Sequence, residues 1–196
     1  MTYRPGFWGR AGSFMEYSGA LSGLDRELAK VAERIKHFRS WTSSIGAVCE
    51  SSRFLAKRMR KAIGETELPI LELGAGFGSV TALLPENTVS VERELTRFEH
   101  LKKIFPERTI LDTCALPALA QLTTPTIVVS SIPSVNNPEF EFLRDGIASA
   151  YKAGMIAQFV TYTYFPHDPL VGIFATSEMA GLEILNVPPA FVWKYT

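Results

Sequence analysis

Three carboxylates stand at or near the ends of three short apolar runs, and glycines crowd the first of them. Glu72 lies in ILELGAGFG, Glu92 in VSVERE and Asp112 in TILDTCALP. Gly74, Gly76 and Gly78 follow Glu72 with one residue between each pair. Glycine permits a tight turn and lets backbone approach a ligand closely. In the dinucleotide pattern G-x-G-x-x-G, a pyrophosphate rests on a helix N-terminus. Here the last gap is one residue rather than two, and a carboxylate precedes the first glycine by two. A negative charge beside the turn is poor company for a pyrophosphate and suits a ligand with an ammonium group.

These residues need a frame that brings strand ends together. Leu68–Leu73, Thr88–Glu92, Thr109–Leu111, Thr126–Ser131 and Met155–Tyr164 read as strands. Helical stretches fall between them, most clearly Glu94–Phe105 and Pro138–Lys152. This alternation predicts an α/β fold with a mainly parallel sheet covered on both faces. Gly181–Val187 and Phe191–Tyr195, joined across Pro188-Pro189, predict a closing antiparallel hairpin. Upstream, Ser51 or Ser52 caps a helix that ends near Gly64. In an open sheet of this kind, ligands bind at the carboxyl ends of the strands. All three acids are placed there.

The remaining N-terminal residues form a different kind of segment. Leu24, Leu28, Val31, Ile35 and Phe38 share one helical face, with Arg26, Lys30, Arg34, Lys36 and Arg39 on the polar side. Residues 1–62 carry twelve Lys/Arg against five Asp/Glu, whereas 63–196 carry eight against fifteen. A basic arm of this kind meets an anionic surface, lipid or nucleic acid; the same stripe also fits a helix packed on the domain. Apolar residues make up 46% of the 196, enough for a sizeable core. The expected organisation is one domain, with residues 1–40 as a helical arm and 41–196 as the catalytic core. Two unpaired cysteines and three scattered histidines give no metal constellation and fit a reducing, cytoplasmic setting. The N-terminus lacks the apolar stretch of a signal peptide, and no window has the length of a membrane span. Any membrane contact is therefore peripheral.

The stretch E-L-G-A-G-F-G resembles the first motif of class I S-adenosylmethionine-dependent methyltransferases, which have a Rossmann-like fold. The resemblance implies that Gly74, Ala75, Gly76 and Gly78 bracket the methionine and ribose parts of the cofactor. Glu92 would accept the ribose hydroxyl hydrogens, since a carboxylate offers two acceptor oxygens. Asp112 would lie near the adenine amine, with Arg93, Thr113 and Ser130 as further cofactor neighbours. Four segments together resemble the bacterial phospholipid N-methyltransferases, relatives of the ribosomal RNA adenine dimethyltransferases. They are IGAVCESSRFLAKRM (Ile45–Met59), the glycine stretch with VSVERE, IVVSSIPSVNNP (Ile127–Pro138) and NVPPAFVWKY (Asn186–Tyr195).

That resemblance implies N-methylation of phosphatidylethanolamine or a related amino-lipid at the inner membrane face, with no metal. Ser131, Tyr162 and Tyr164 are the candidates to hold the acceptor amine, with His167 as a proton acceptor. The sequence also departs from the pattern. Pro85 cuts short the helix after the glycines, and the stretch between Tyr164 and Asn186 is short, as if one strand were trimmed. The turn Ser131-Ile132-Pro133-Ser134 replaces the Asn-Leu-Pro-aromatic turn that stacks a flipped adenine in the RNA enzymes. Ser134 has no ring to stack, which counts against nucleic acid. The main rival is a soluble enzyme acting on a small amine or on the cofactor itself.

Overall fold

The computed structural model describes residues 52–135, 137–186 and 188–196. The expected arm over residues 1–40, its amphipathic helix, and Cys49, Asn136 and Val187 lie outside the described residues.

Ser52 starts the first helix, α1 (Arg53–Ile63), by accepting a hydrogen bond on its hydroxyl from the Leu55 N–H at 3.2 Å. Gly64, at φ 79°, ends it. The chain then alternates as expected: β1 (Ile70–Leu73), a 3-10 turn (Thr81–Leu83), β2 (Val89–Glu92), α2 (Leu95–Ile104), β3 (Thr109–Asp112), α3 (Ala115–Ala120), β4 (Thr126–Ser130), α4 (Phe140–Lys152), β5 (Ile156–Thr163), β6 (Ser177–Glu183) and β7 (Ala190–Tyr195). The sheet order is β3-β2-β1-β4-β5-β7-β6. Strands β1 to β5 pair in parallel, and β7 runs antiparallel between β5 and β6.

Alternating side chains split the core into two layers. Ile70, Ile127, Val129, Val160 and Val192 pack under α1 with Leu55, Met59 and Ile63. Leu71, Leu73, Val128 and Phe159 face the other way, onto Leu119 of α3 and Leu143 and Ile147 of α4. Every residue of β1 and β4 is buried, which explains why both are mostly apolar, with Glu72, Thr126 and Ser130 as buried polar exceptions. Glycine turn, Glu92, Asp112 and Ser130 all come to one edge of the sheet because parallel strands end on the same side.

Three details differ from the sequence reading. Helix α3, in ALPALA, was not anticipated; Pro117 lies in its first turn, where the missing N–H would have no helical partner. Strand β6 begins at Ser177, four residues before the expected Gly181, because pairing with β7 supports a segment of low intrinsic strand preference. The expected trimming of a strand is not seen: β6 and β7 are both present, and the β5–β6 connection, residues 164–176, contains turns and no helix.

Pro85 does curtail the segment after the glycines to the 3-10 turn. Arg108, just ahead of β3, holds that turn by donating to the carbonyls of Thr81 at 2.6 Å, Leu84 at 3.1 Å and Pro85 at 3.5 Å. Its guanidinium also lies 5.2 Å from the centre of the Phe105 ring. Removing a charged donor from several carbonyls costs about 2–3 kcal/mol. Arg108→Met is therefore expected to lose about that much stability in urea unfolding.

Candidate cofactor and acceptor site

The glycine turn is built from backbone hydrogen bonds. The N–H groups of Gly74 and Ala75 both donate to the Val91 carbonyl, at 2.9 and 3.0 Å, and Gly78 N–H donates to Ala75 O at 3.0 Å. Gly74, Gly76 and Gly78 all have positive φ, at 72°, 59° and 92°. Their surroundings differ. A Cβ on Gly74 would lie 2.7 Å from Ile132 Cγ1, and one on Gly78 would lie 2.6 Å from Phe105 Cε2. Among the described residues a Cβ on Gly76 would meet nothing within 4 Å, so this residue faces open space there.

Glu92 ties that open glycine to the next strand. Its Oε2 accepts from Gly76 N–H at 2.8 Å, and its Oε1 accepts from Glu94 N–H at 2.9 Å. The residue is only 5% exposed. Each carboxylate oxygen offers two acceptor sites, so one remains on each for a pair of ligand hydroxyls. Asp112 is the register partner of Glu92 on β3 and is exposed, with half-buried Thr113 after it. Arg93 points to Glu139 at the start of α4 in an exposed ion pair and also lies against the Cys114 thiol. Sequence reasoning missed Glu139 and Cys114, since nothing in local spacing links residues so far apart.

Glu72 is placed differently from its neighbours. It is fully buried beneath the turn, and its Oε2 accepts from Ser90 Oγ at 2.6 Å and Thr81 Oγ1 at 2.8 Å. Its Oε1 has no hydrogen-bond partner among the described residues. Burial raises its pKa above the ordinary 4.5, opposed by the hydrogen bonds from Ser90 and Thr81 and by the charge of Arg108. Ser90 is legible in hindsight: it is the only polar residue facing inward in Val89–Val91, and it pairs with Glu72.

The raised pKa has a pH consequence. Below 4.5 Glu72 is protonated in both folded and unfolded chains. Above that value the unfolded chain ionises first, so stability falls as pH rises until folded Glu72 ionises too. The predicted result is that Glu72→Gln gains stability relative to the parent across this window. Denaturation midpoints of both proteins from pH 4 upward check it.

The candidate acceptor side lies at the ends of β4 and β5. Ser130 is buried; its hydroxyl accepts from Ile132 N–H at 3.3 Å, and its carbonyl accepts from Thr161 Oγ1 at 3.1 Å. Ser131 N–H is held by Leu73 O at 3.0 Å. The hydroxyls of Ser131 and Ser134 are both buried and have no hydrogen-bond partner among the described residues. Asn137 braces this turn by donating to the Pro133 carbonyl at 3.0 Å while its Oδ1 accepts from Glu139 N–H at 3.0 Å. Tyr162 is 4% exposed and packs in the core beside α1. Tyr164 is half-buried with its ring 5.5 Å from that of Tyr162. His167 is exposed in the β5–β6 connection. Among the described residues, no three His, Cys, Asp or Glu side chains converge on a metal position.

No family model matches this sequence, and no curated protein matches it. Solved structures do share its fold. The 23S rRNA methyltransferase ErmE superposes with a TM-score of 0.55 at 17% identity, over 73% of this chain and 66% of ErmE. The precorrin-6y C5,15-methyltransferase of Geobacter metallireducens GS-15 gives 0.51 at 16% identity, over 72% and 86% of the two chains. The 16S rRNA methyltransferase RsmC of T. thermophilus, solved with AdoMet and guanosine, gives 0.53 at 20% identity, over 78% of this chain and 44% of RsmC. This chain thus spans less than half of RsmC and about two thirds of ErmE. The Rossmann-like methyltransferase fold expected from the glycine motif is the fold observed.

Proposed function

We propose that this chain is an S-adenosylmethionine-dependent N-methyltransferase whose acceptor is the amine of phosphatidylethanolamine or a related amino-lipid. The observation that carries the cofactor assignment is the join between Gly76 and Glu92: an open glycine faces the ligand, and a nearly buried carboxylate beside it keeps acceptor capacity for a ribose diol. Gly74, Ala75 and Gly78 shape the turn. Asp112 and Thr113 border the adenine end, Arg93 fixes the adjoining wall through Glu139, and Ser130 closes the floor. Glu72 acts from beneath the turn, as a charge near the cofactor's ammonium group rather than an exposed contact.

S-adenosylmethionine supplies an activated methyl group on a sulfonium. The amine must present its lone pair in line with that methyl, so orientation and exclusion of water are the protein's contribution. An alkyl amine with a pKa of about 10 is mostly protonated at neutral pH. It must lose a proton before attack, and a second proton leaves with the new N–C bond. The unpartnered hydroxyls of Ser131 and Ser134, with the Ser131–Pro133 carbonyls, supply acceptors for the amine hydrogens. Tyr164 covers the sulfonium side through its ring, Tyr162 supports Tyr164, and His167 relays the proton to water.

The β5–β6 connection, residues 164–176, carries no helix, and this favours a second reading, a small free amine as acceptor, because it leaves less wall around the acceptor side. Mass spectrometry with methyl-deuterated S-adenosylmethionine, with and without phosphatidylethanolamine vesicles, separates the two. Deuterated mono-, di- or trimethylated lipid is the expected result. Cofactor turnover with no labelled lipid would reject the lipid acceptor and leave the small amine.

A further inference from the structure

Two of the most exposed large apolar residues share one tight turn. Ile184 is 68% exposed and Leu185 is 59% exposed, and both lie between β6 and β7. Phe54, in the first turn of α1, is 45% exposed. The turn stands at the same sheet edge as the candidate site, because Phe191 at the start of β7 pairs with Thr163 at the end of β5.

The turn is held rather than loose. Leu185 N–H donates to Glu183 Oε1 at 3.0 Å, while Glu183 Oε2 accepts from Arg58 Nε at 3.1 Å. Asn186 Oδ1 accepts from Ser52 N–H at 3.0 Å, and its side-chain amide donates to Pro188 O at 2.8 Å. These bonds fasten the turn to the start of α1 and leave two aliphatic side chains in water. A fixed apolar patch of this kind marks an interaction surface.

Charge indicates what the surface meets. Helix α1 contains no acid, and Arg53 and Lys57 project from its exposed face one turn apart. Arg58 and Arg60 are engaged by Glu183 and Glu65. Along the cofactor half of the same edge the exposed acids Glu94, Asp112, Glu139 and Glu141 outnumber the exposed Arg93, which pairs with Glu139. The edge is therefore basic and apolar beside the acceptor turn and acidic beside the cofactor turn. Aliphatic and aromatic side chains flanked by basic ones suit the headgroup and acyl boundary of an anionic bilayer. A single-stranded nucleic acid surface relies on aromatic platforms for bases, whereas the most exposed apolar side chains here, Ile184 and Leu185, are aliphatic, with the ring of Phe54 less exposed beside them.

We propose that the β6–β7 turn and the first turn of α1 form a membrane-docking rim on the acceptor side. It rests on the amino-lipid reading and deepens it. The acidic half of the edge tilts away from an anionic surface, so the cofactor entrance stays open to water while the lipid amine reaches the Ser131–Ser134 turn from the headgroup plane.

The test uses the full chain with Cys49 and Cys114 replaced by serine and a single environment-sensitive fluorophore on Leu185→Cys. Glu107→Cys, at the opposite edge, is the control. Vesicles of phosphatidylethanolamine and phosphatidylglycerol are expected to shift the emission at position 185 to the blue, not at 107, with a smaller response to phosphatidylcholine vesicles. The unlabelled double variant Ile184→Ser/Leu185→Ser is expected to bind the anionic vesicles about tenfold more weakly. Vesicle-bound protein with an unchanged signal at 185, no vesicle binding at all, or a signal at 185 that follows RNA or protein concentration instead would each overturn the rim. S-adenosylmethionine titrated into the same labelled chain keeps the two claims apart. Binding without a response at 185 sinks the rim alone; a response at 185 without cofactor binding sinks the methyltransferase reading and leaves a membrane contact.

Discussion

Replacing Glu92 with alanine is expected to weaken S-adenosylmethionine binding by roughly a hundredfold. Two ribose hydroxyls donating to a carboxylate account for about 3 kcal/mol at 1.5 kcal/mol each, the low end for charged hydrogen bonds, and every 1.4 kcal/mol is tenfold. The loss is compounded because Glu92 also receives the N–H groups of Gly76 and Glu94. Without it Gly76 loses its tie to β2, though Gly74 and Ala75 keep theirs to the Val91 carbonyl, and two backbone donors lose their partners. Stability is therefore expected to fall as well, by about 2 kcal/mol. Isothermal titration and urea unfolding of the same variant separate the two effects. Glu92→Gln keeps one acceptor oxygen and is expected to fall between parent and alanine in affinity. Unchanged affinity in Glu92→Ala would remove the ribose role.

The glycines give the second large effect, and they split by position. Gly78→Val is expected to destabilise the fold by about 3–5 kcal/mol, from strained backbone and overpacking together. The residue has φ 92°, and its Cβ would press on Phe105 at 2.6 Å and Leu101 at 3.0 Å. Domains of this size are stable by about 5–15 kcal/mol, so the variant is expected to unfold at markedly lower urea. Gly76→Ala should cost only about 1 kcal/mol, the ordinary cost of a left-handed residue. Its new methyl enters open space on the ligand side, so cofactor affinity is expected to drop at least tenfold while the protein stays folded. Denaturation midpoints and cofactor titration of the pair test this split. Equal effects on both properties in both variants would contradict it.

Much of the fold was legible because parallel strands buried on both faces read as short continuous apolar runs. Ile127–Val129 is of this kind, Ile70–Leu73 is broken only by the buried Glu72, and the flanking glycines and serines mark the strand ends. Helix α1 announced both its ends, through Ser52 and Gly64. Helix α3 was hidden because ALPALA is too short for periodicity and contains a proline. The start of β6 was hidden because SEMA has little strand character of its own; its pairing with β7 across the sheet edge defines it. In the candidate site, the glycines and the three acids followed from order along the chain. What spacing could not show was depth. Glu72, Glu92 and Asp112 look alike in sequence, yet one is sealed beneath the turn, one is nearly buried at its rim and one is exposed. The bracing of Arg93 by Glu139 and of the Ser131–Ser134 turn by Asn137 likewise depends on tertiary contact.

The central claim is that the glycine turn and Glu92 hold S-adenosylmethionine. Its most direct test is a calorimetric titration of the full chain with S-adenosylmethionine and with S-adenosylhomocysteine, repeated on Glu92→Ala. The account predicts one site per chain for both compounds in the parent protein, and a loss of roughly a hundredfold in the variant. Absence of saturable binding in the folded parent protein would contradict it.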